Sequence, residues 1–160
     1  MKLLIFGFLN KGNISGMVVK KLNIKDKFLI PYYKKPHING INDLINLITI
    51  NNPEYILGIG SYSGIDFDSI RIETLTKNKF RNNRIGEKDK YVISPFLSID
   101  NNYKLANAMG NSWCNLVSYK IMELIDNHKI SSSYTFLHIP KKYNLNNTVS
   151  LLRDKIKELN

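Results

Sequence analysis

Apolar residues follow two alternating patterns along this chain, separated by turn-forming residues. Short continuous apolar runs are typical of strands buried on both faces, whereas apolar residues at helical spacing are typical of amphipathic helices. The continuous runs predict strands at 2–6, 27–32, 55–60, 91–94, 97–99 and 133–139, and an alternation of residue types predicts another at 69–76. The helical spacing predicts helices at 14–22, 41–50, 115–126 and 148–159.

Strands that take turns with helices predict an α/β fold, with a largely parallel, twisted sheet covered by helices on both faces. No repeat, linker or low-complexity segment interrupts the 160 residues, so we predict a single domain over 1–160. Ligands of open sheets in this class bind at the carboxyl ends of the strands. Gly60 and His138 stand at the ends of two predicted strands, and we expect a site near them.

The segment 69–76 is predicted to be a strand with two unlike faces. Ile70 and Ile72 alternate there with Arg71 and Glu73, so the apolar pair and the charged pair point to opposite sides. The next residues, 77–90, are polar and charged, which predicts an exposed loop.

The charge balance of the chain is strongly basic, with 23 Lys and Arg against 13 Asp and Glu and a formal net charge of +10. The basic residues are scattered and form no arginine-rich helix. We therefore interpret them as a solvated surface rather than as a nucleic-acid site. No apolar stretch approaches the roughly 20 residues of a membrane span, and the first apolar run ends too early for a secretory signal. A soluble, cytoplasmic protein without a membrane partner is expected.

The chain has one cysteine, Cys114, which cannot form an internal disulfide and fits a reducing compartment. Such a residue is either a buried core side chain or a nucleophile. It precedes the predicted helix at 115–126, where backbone N–H groups and the helix dipole can stabilise a thiolate and lower the pKa of the thiol. His138, at the end of the last predicted strand, is a candidate base.

Cofactor motifs are not recognisable in the sequence. The three histidines and the single cysteine show no ligand spacing, so we expect no metal. Gly58, Gly60 and Gly64 do not form a dinucleotide fingerprint, because a polar turn and a strand follow them rather than a helix. No nucleotide cofactor is expected either.

Two segments around the cysteine and the last histidine carry further information: the spaced residues Asn107, Gly110, Cys114, Asn115 and Tyr119, and Phe-Leu-His-Ile-Pro at 136–140. They resemble the nucleophile motif and the histidine strand of the pyroglutamyl peptidase type I (pyrrolidone-carboxylate peptidase) family of cysteine peptidases. The resemblance implies an α/β/α sandwich and removal of an N-terminal pyroglutamyl residue from peptides. It further implies Cys114 as nucleophile, His138 as base, a substrate with a blocked N-terminus, and a dimer or tetramer.

The family also has a carboxylate that orients the histidine, in a Glu-Arg-x-Ala-x-Asn context on a strand. Aligning Arg71 with the arginine of that context places Ile70 at the glutamate position. Glu73 shares a face with Arg71, and we take it as the orienting carboxylate. Asp66 and Asp68 are alternatives in the preceding loop.

The resemblance extends to the substrate pocket, where it implies further roles. Phe8 matches the first aromatic that packs on the pyroglutamyl ring, Lys11 stands at the second, and Ser61 stands where a glutamine is usual. Trp113 is a substrate-site candidate beside the nucleophile. Arg81 is the candidate for an arginine that assists the oxyanion, with Lys79 and Arg84 as alternatives.

Compared with the family, the chain is short and lacks a helix between 91 and 107. Two alternatives to a pyroglutamyl peptidase stay open. One is a catalytically impaired relative that binds a peptide terminus or a polyanion, and its motivations are the missing glutamate at position 70, Lys11 and the net charge of +10. The other is an active cysteine hydrolase with an altered acyl pocket.

Overall fold

The computed structural model describes residues 1–31, 37–63, 69–107 and 109–159. In chain order the elements are β1 (Leu3–Leu9), α1 (Ile14–Lys21), β2 (Lys27–Pro31), α2 (His37–Asn51), β3 (Tyr55–Tyr62), β4 (Ile70–Glu73), β5 (Leu75–Lys77), β6 (Lys90–Val92), β7 (Tyr103–Ala106), α3 (Trp113–Asp126), β8 (Ser133–Pro140) and α4 (Leu145–Lys157).

The main sheet has six strands in the order β2-β1-β3-β8-β4-β7. Neighbouring strands among β2, β1, β3 and β8 run parallel. Strand β4 pairs with β8 in the antiparallel sense, and β7 runs parallel to β4. The predicted α/β fold with a largely parallel sheet is confirmed, and the carboxyl ends of β1, β3 and β8 share one edge of the sheet.

Apolar clusters fill both faces of this sheet. Phe6 and Phe136 pack with α2 and α3 on one face, whereas Ile5, Leu57 and Leu137 pack with α1 and α4 on the other. Successive residues of a strand point to opposite faces, so the continuous apolar runs of β1, β3 and β8 serve both clusters. Full burial of one such side chain stabilises the fold by about 2 kcal/mol. The prediction of helices on both faces is confirmed.

The segment 69–76 is not one strand, contrary to the sequence prediction. It divides at Thr74 into β4 in the main sheet and β5 in a separate two-stranded sheet with β6. The Thr74 N–H and hydroxyl both donate to the Ala106 carbonyl oxygen, at 2.8 and 2.9 Å, while the Thr74 carbonyl accepts from the Ile93 N–H at 2.9 Å. These bonds direct the chain out of the main sheet.

Other boundaries also differ from the predictions. Residues 97–99 are not a strand, whereas the edge strand β7 went unpredicted because its four residues carry little periodic signal. Helix α3 begins at Trp113 rather than at 115, so Cys114 lies within its first turn. The loop at 77–90 is largely exposed, but Asn78 is buried and bonds the backbone of Ile85 and Gly86.

Lys155 ties the irregular segment before β7 to α4. Its buried ammonium lies 2.6 Å from the Ser98 hydroxyl and forms ion pairs with Asp100 at 2.9 Å and Glu158 at 3.2 Å. The hydrogen bond from Lys155 lowers the pKa of Asp100 below its ordinary value. Residues 91–107, which the structure describes throughout, contain no helix, in agreement with the shortened sequence.

Among the described residues, no helix combines the length and apolar character needed to span a bilayer.

Candidate active site

The site lies at the edge of the sheet where β3 and β8 end. The parallel register places Gly60 beside His138 and Ser61 beside Ile139. The first turn of α3 crosses above these positions and brings Cys114 to the same edge. Three segments that are distant in sequence therefore meet where ligands of open α/β sheets bind.

The Cys114 sulfur and the His138 ring meet over Gly60. A Cβ atom placed on Gly60 would lie 2.9 Å from Cys114 Sγ and 2.9 Å from His138 Cδ2, so these two atoms are separated by at most twice that distance. No hydrogen bond joins this thiol to this ring in the structure. Nε2, the nitrogen bonded to Cδ2, is the ring nitrogen that does not contact Glu73.

Glu73 lies against the other nitrogen of the ring. Its Oε1 is 2.7 Å from His138 Nδ1, and Glu73 is fully buried. The antiparallel pairing of β4 with β8 produces this contact, with Arg71 opposite His138 and Glu73 opposite Phe136. A carboxylate can only accept, so Nδ1 carries the hydrogen and Nε2 of the neutral ring is free to take a proton. The His138 ring therefore has the Glu73 carboxylate at Nδ1 and the Cys114 sulfur near Cδ2.

Positions 66, 68 and 70 are the other positions that the sequence analysis considered for the orienting carboxylate. Ile70, which the arginine alignment placed at the glutamate position, is fully buried in the apolar cluster beneath α1 and α4. Asp66 and Asp68 lie outside the described residues. Alignment on Glu73 instead keeps both ends of the family context, because Asn78 comes after it at the spacing of the Glu and Asn in Glu-Arg-x-Ala-x-Asn. The five-residue spacing between Glu73 and Asn78 is the sequence signal for Glu73. It is lost when Arg71 is aligned with the arginine of the family context.

A cavity of about 130 Å³ opens beside the sulfur. Its lining comprises Phe8, Asn10, Asn13, Ser61, Ser112, Trp113 and Cys114. The predicted pocket residues Phe8, Ser61 and Trp113 therefore share one cavity with Cys114. Asn10, Asn13 and Ser112 were missed, although the first two come shortly after β1 at the same edge of the sheet. Lys11 lies outside this lining, in a neighbouring cavity.

Comparison with solved structures finds the same architecture in pyroglutamyl peptidases. Pyrrolidone carboxyl peptidase from Fervidobacterium islandicum AW-1 has a TM-score of 0.79 at 16% identity, over 99% of this chain and 98% of that one. Pyroglutamyl peptidase I from Bacillus amyloliquefaciens has a TM-score of 0.71 at 20% identity, over 96% and 92%. The chain has the pyroglutamyl peptidase fold. A mutant pyrrolidone carboxyl peptidase from P. furiosus also matches, with a TM-score of 0.75 at 17% identity over 99% and 98%.

Sequence comparisons add no closer relationship: no protein-family model and no curated protein sequence matches the chain. The evidence for the shared fold is therefore structural similarity alone, and the evidence for the site is the geometry of this chain.

Arg81 lies beside Trp113, one of the residues that line the cavity. Its guanidinium carbon is 5.7 Å from the centre of the Trp113 ring. Its N–H donates to the Asn111 carbonyl at 2.7 Å, and the Asn111 side chain donates back at 3.1 Å, which holds Arg81 at a φ of 55°. Of the alternatives, Arg84 pairs with Asp89 at 3.1 Å, and Lys79 has an exposed side chain.

Two residues of the nucleophile motif hold α3 in place. Asn115 is buried, accepts from the Thr76 hydroxyl and the Lys77 N–H, and donates to the Lys77 and Lys79 carbonyls at 2.8 and 2.6 Å. Tyr119 is fully buried, and its hydroxyl donates to the Lys88 carbonyl at 2.6 Å. These bonds fasten the β5–β6 hairpin to the helix that carries Cys114. Asn115 and Tyr119, two residues that resemble the family motif, therefore hold the helix that positions the Cys114 thiol.

The thiol pKa differs from the sequence expectation. Burial of the thiol, and after it the negative charge of Glu73, raise the pKa of Cys114 to about 12, although the Cys114 backbone N–H acts in the opposite direction. The predicted lowering by the helix N-terminus is wrong, because desolvation of the sulfur outweighs the backbone donors. At neutral pH the resting thiol is protonated.

No group of three or more His, Cys, Asp or Glu side chains in the described parts of the chain could hold a metal ion.

Gly60→Ala should damage both the site and the fold, because its methyl group would lie 2.9 Å from Cys114 Sγ, His138 Cδ2 and Phe136 Cζ. We expect a loss of roughly 1–3 kcal/mol in the free energy of unfolding and at least about 100-fold in kcat/KM. Thermal unfolding and hydrolysis of a pyroglutamyl amide measure the two effects.

Gly58→Ala is the matched control for that substitution. Its methyl group would press on the Phe136 and Phe6 rings of the core instead of the sulfur. It should destabilise the fold while the folded fraction keeps most of its kcat/KM. Equal activity of folded Gly60→Ala and folded Gly58→Ala would contradict the packing of sulfur and imidazole over Gly60.

Proposed function

We propose that this protein is a cysteine exopeptidase that removes an N-terminal pyroglutamyl residue from peptides. The observation that carries the proposal is the sequence of groups at the sheet edge: the Cys114 thiol, the His138 ring, and the Glu73 carboxylate 2.7 Å from Nδ1. The shared fold of pyroglutamyl peptidases supports the same conclusion.

Catalysis begins when the substrate carbonyl enters beside the sulfur. His138 Nε2 takes the thiol proton as Sγ attacks the carbonyl carbon, and Glu73 stabilises the imidazolium through Nδ1–H. The N–H groups of Cys114 and Asn115 stand in the first turn of α3, before the first bond of the helix from the Leu116 N–H to the Ser112 carbonyl, and we assign them as donors to the oxyanion. This order of events suits a thiol that is protonated at rest.

The tetrahedral intermediate collapses by breaking the bond between carbonyl carbon and amide nitrogen. His138 returns its proton to the leaving amine, and the acyl group stays on Cys114. Water then attacks this thioester, His138 accepts a water proton, and pyroglutamate leaves as the sulfur recovers its proton. The three side chains return to their starting protonation states.

The cavity beside the sulfur suits a compact acyl group. Phe8 and Trp113 provide ring faces, and Ser61 provides a hydroxyl, for a lactam ring with one carbonyl and one N–H. Asn13 Oδ1 already accepts from the Ser15 N–H and hydroxyl at 2.9 and 2.7 Å, which leaves its amide N–H₂ as a donor to the ring carbonyl. We assign to Asn10 and Asn13 the amide function that the usual glutamine would supply at Ser61.

Fluorogenic amides test the proposal directly. Purified protein should release fluorophore from pyroglutamyl amide at least about 100-fold faster than from prolyl amide, which has the ring without its carbonyl. Glutaminyl amide, which has the carbonyl without the ring, should be cleaved as poorly. No release from any of the three, with Cys114 intact by mass spectrometry, would overturn the proposal.

The outcome also separates the alternatives. Faster release from prolyl or glutaminyl amide than from pyroglutamyl amide would identify a hydrolase with an altered acyl pocket. The impaired, polyanion-binding relative has less support, because Glu73 lies 2.7 Å from His138 Nδ1 and one of its three motivations was a missing glutamate. A cytoplasmic location and the dimer or tetramer implied by the resemblance remain predictions.

A further inference from the structure

A second and larger cavity adjoins the one beside Cys114. It has a volume of about 640 Å³ and lies between the loop after β1 and the outer face of α1. Its lining comprises Leu9, Asn10, Lys11, Gly12, Asn13, Gly16, Met17 and Lys20. Asn10 and Asn13 line both cavities. A ligand in the larger cavity can therefore be continuous with one that reacts at the sulfur.

The charged groups of this cavity are all positive. Lys11 and Lys20 bring two ammonium groups to its wall, and no Asp or Glu is among the described residues of its lining. Ammonium groups without a carboxylate among the lining residues favour an anionic ligand.

The wall of the cavity is held rigidly. The Ser15 hydroxyl donates to Asn13 Oδ1 at 2.7 Å and accepts from the Phe8 N–H at 3.2 Å, which joins the loop to the end of β1. A Cβ on Gly16 would lie 2.5 Å from the Phe8 carbonyl oxygen, so α1 packs directly on the strand backbone. The backbone of this wall is thus joined to the strand that carries Phe8, while the side chains of Lys11 and Lys20 are exposed.

We propose that the larger cavity holds the part of the peptide that comes after the scissile bond and selects a carboxylate there. This inference rests on the proposed function, because a pyroglutamyl residue begins its chain and leaves nothing to occupy a cavity on its other side. The carboxylate can come from an acidic side chain in the second residue or from the C-terminus of a dipeptide. Lys11 and Lys20 are the residues that determine this preference.

Three dipeptides test the proposal and separate the two sources of carboxylate. Pyroglutamyl-glutamate amide and pyroglutamyl-glutamine amide differ only in the side-chain charge, whereas pyroglutamyl-glutamine with a free C-terminus adds only the terminal carboxylate. We expect kcat/KM for at least one carboxylate-bearing peptide to exceed that for pyroglutamyl-glutamine amide about fivefold at low salt. The excess should shrink as ionic strength rises.

The double variant Lys11→Met/Lys20→Met should bring that ratio close to one. Lys21→Met is the matched control: it removes one charge next to Lys20, but Lys21 Nζ binds Asn146 Oδ1 at 3.0 Å beside α4, so the ratio should stay at its wild-type value. A ratio near one in the wild type, or an unchanged ratio in the double variant, would overturn the inference.

Binding to Cys114→Ala tests the same selection without turnover. Calorimetry should give tighter binding of the preferred carboxylate peptide than of pyroglutamyl-glutamine amide, and Lys11→Met/Lys20→Met should abolish the difference. If Cys114→Ala binds carboxylate peptides selectively but the wild-type protein is inert, the proposed peptidase activity is wrong and the proposed selectivity of the cavity is supported. Absence of that selectivity would overturn the present inference whatever the wild-type activity.

Discussion

Cys114→Ser should lower kcat/KM for a pyroglutamyl amide about 10⁴-fold or more. Serine keeps the shape of the side chain, but its hydroxyl is a far weaker acid and nucleophile than a thiol, and His138 is positioned for the larger sulfur atom. Initial rates of fluorophore release measure the loss. Thermal unfolding is the control and should change little. A serine variant within tenfold of the wild type would contradict a reaction at sulfur.

The same thiol should react slowly with iodoacetamide at neutral pH. Because burial raises the pKa of Cys114 to about 12, the thiolate fraction at pH 7 is very small, and it grows about tenfold with each pH unit below that value. The alkylation rate should therefore climb throughout pH 7–10. Mass spectrometry reports on one residue, since Cys114 is the only cysteine. A rate that is already level above pH 7 would indicate a preformed thiolate instead.

Glu73→Gln should reduce kcat by roughly 10²–10⁴-fold with a smaller change in KM. Glutamine preserves the size of the side chain and can still contact His138 Nδ1, but it supplies no negative charge to stabilise the imidazolium formed when the sulfur is deprotonated. The effect is large because Glu73 is fully buried and water cannot replace its charge. Steady-state kinetics on a pyroglutamyl amide give the two constants separately.

Glu54→Gln is the matched control for this substitution. Glu54 is exposed and lies just before β3, at the opposite edge of the sheet from the cavity, so its replacement should leave kcat within about twofold. Glu73→Asp retains the charge on a shorter side chain and should recover part of the lost rate. A loss below tenfold in Glu73→Gln would show that His138 needs no buried charge behind it.

The strands and helices were predictable wherever a local pattern was long enough to repeat. The runs of β1, β3 and β8 and the helical stripes of α2 and α3 depend on neighbours within a few positions. The division at Thr74 and the four residues of β7 were missed, because they depend on pairing with Ala106 and with β4 across the sheet. Short strands owe their conformation to partners that their own residues do not specify.

Cys114 and His138 could be singled out from the order of residues, since each stands in a motif next to a predicted helix start or strand end. Glu73 could be named as a candidate carboxylate from the strand face that it shares with Arg71, but the order of residues left Asp66 and Asp68 as alternatives. Glu73 and His138 are 65 positions apart, and their contact depends on the antiparallel register of β4 with β8. Asn10, Asn13 and Ser112 join the cavity for the same reason, because the folded chain brings separate loops to one edge of the sheet.

The direction of the Cys114 pKa shift could not be predicted from the sequence and required the tertiary structure. The sequence located the thiol near a helix N-terminus and so predicted a lower value, because that influence acts along the local backbone. The structure adds burial of the sulfur and the charge of Glu73, and these through-space effects reverse the sign. Local order therefore accounts for the elements and for the choice of Cys114 and His138 as candidates, while solvent exclusion and contacts between distant segments account for the protonation of the thiol and for the shape of the pocket.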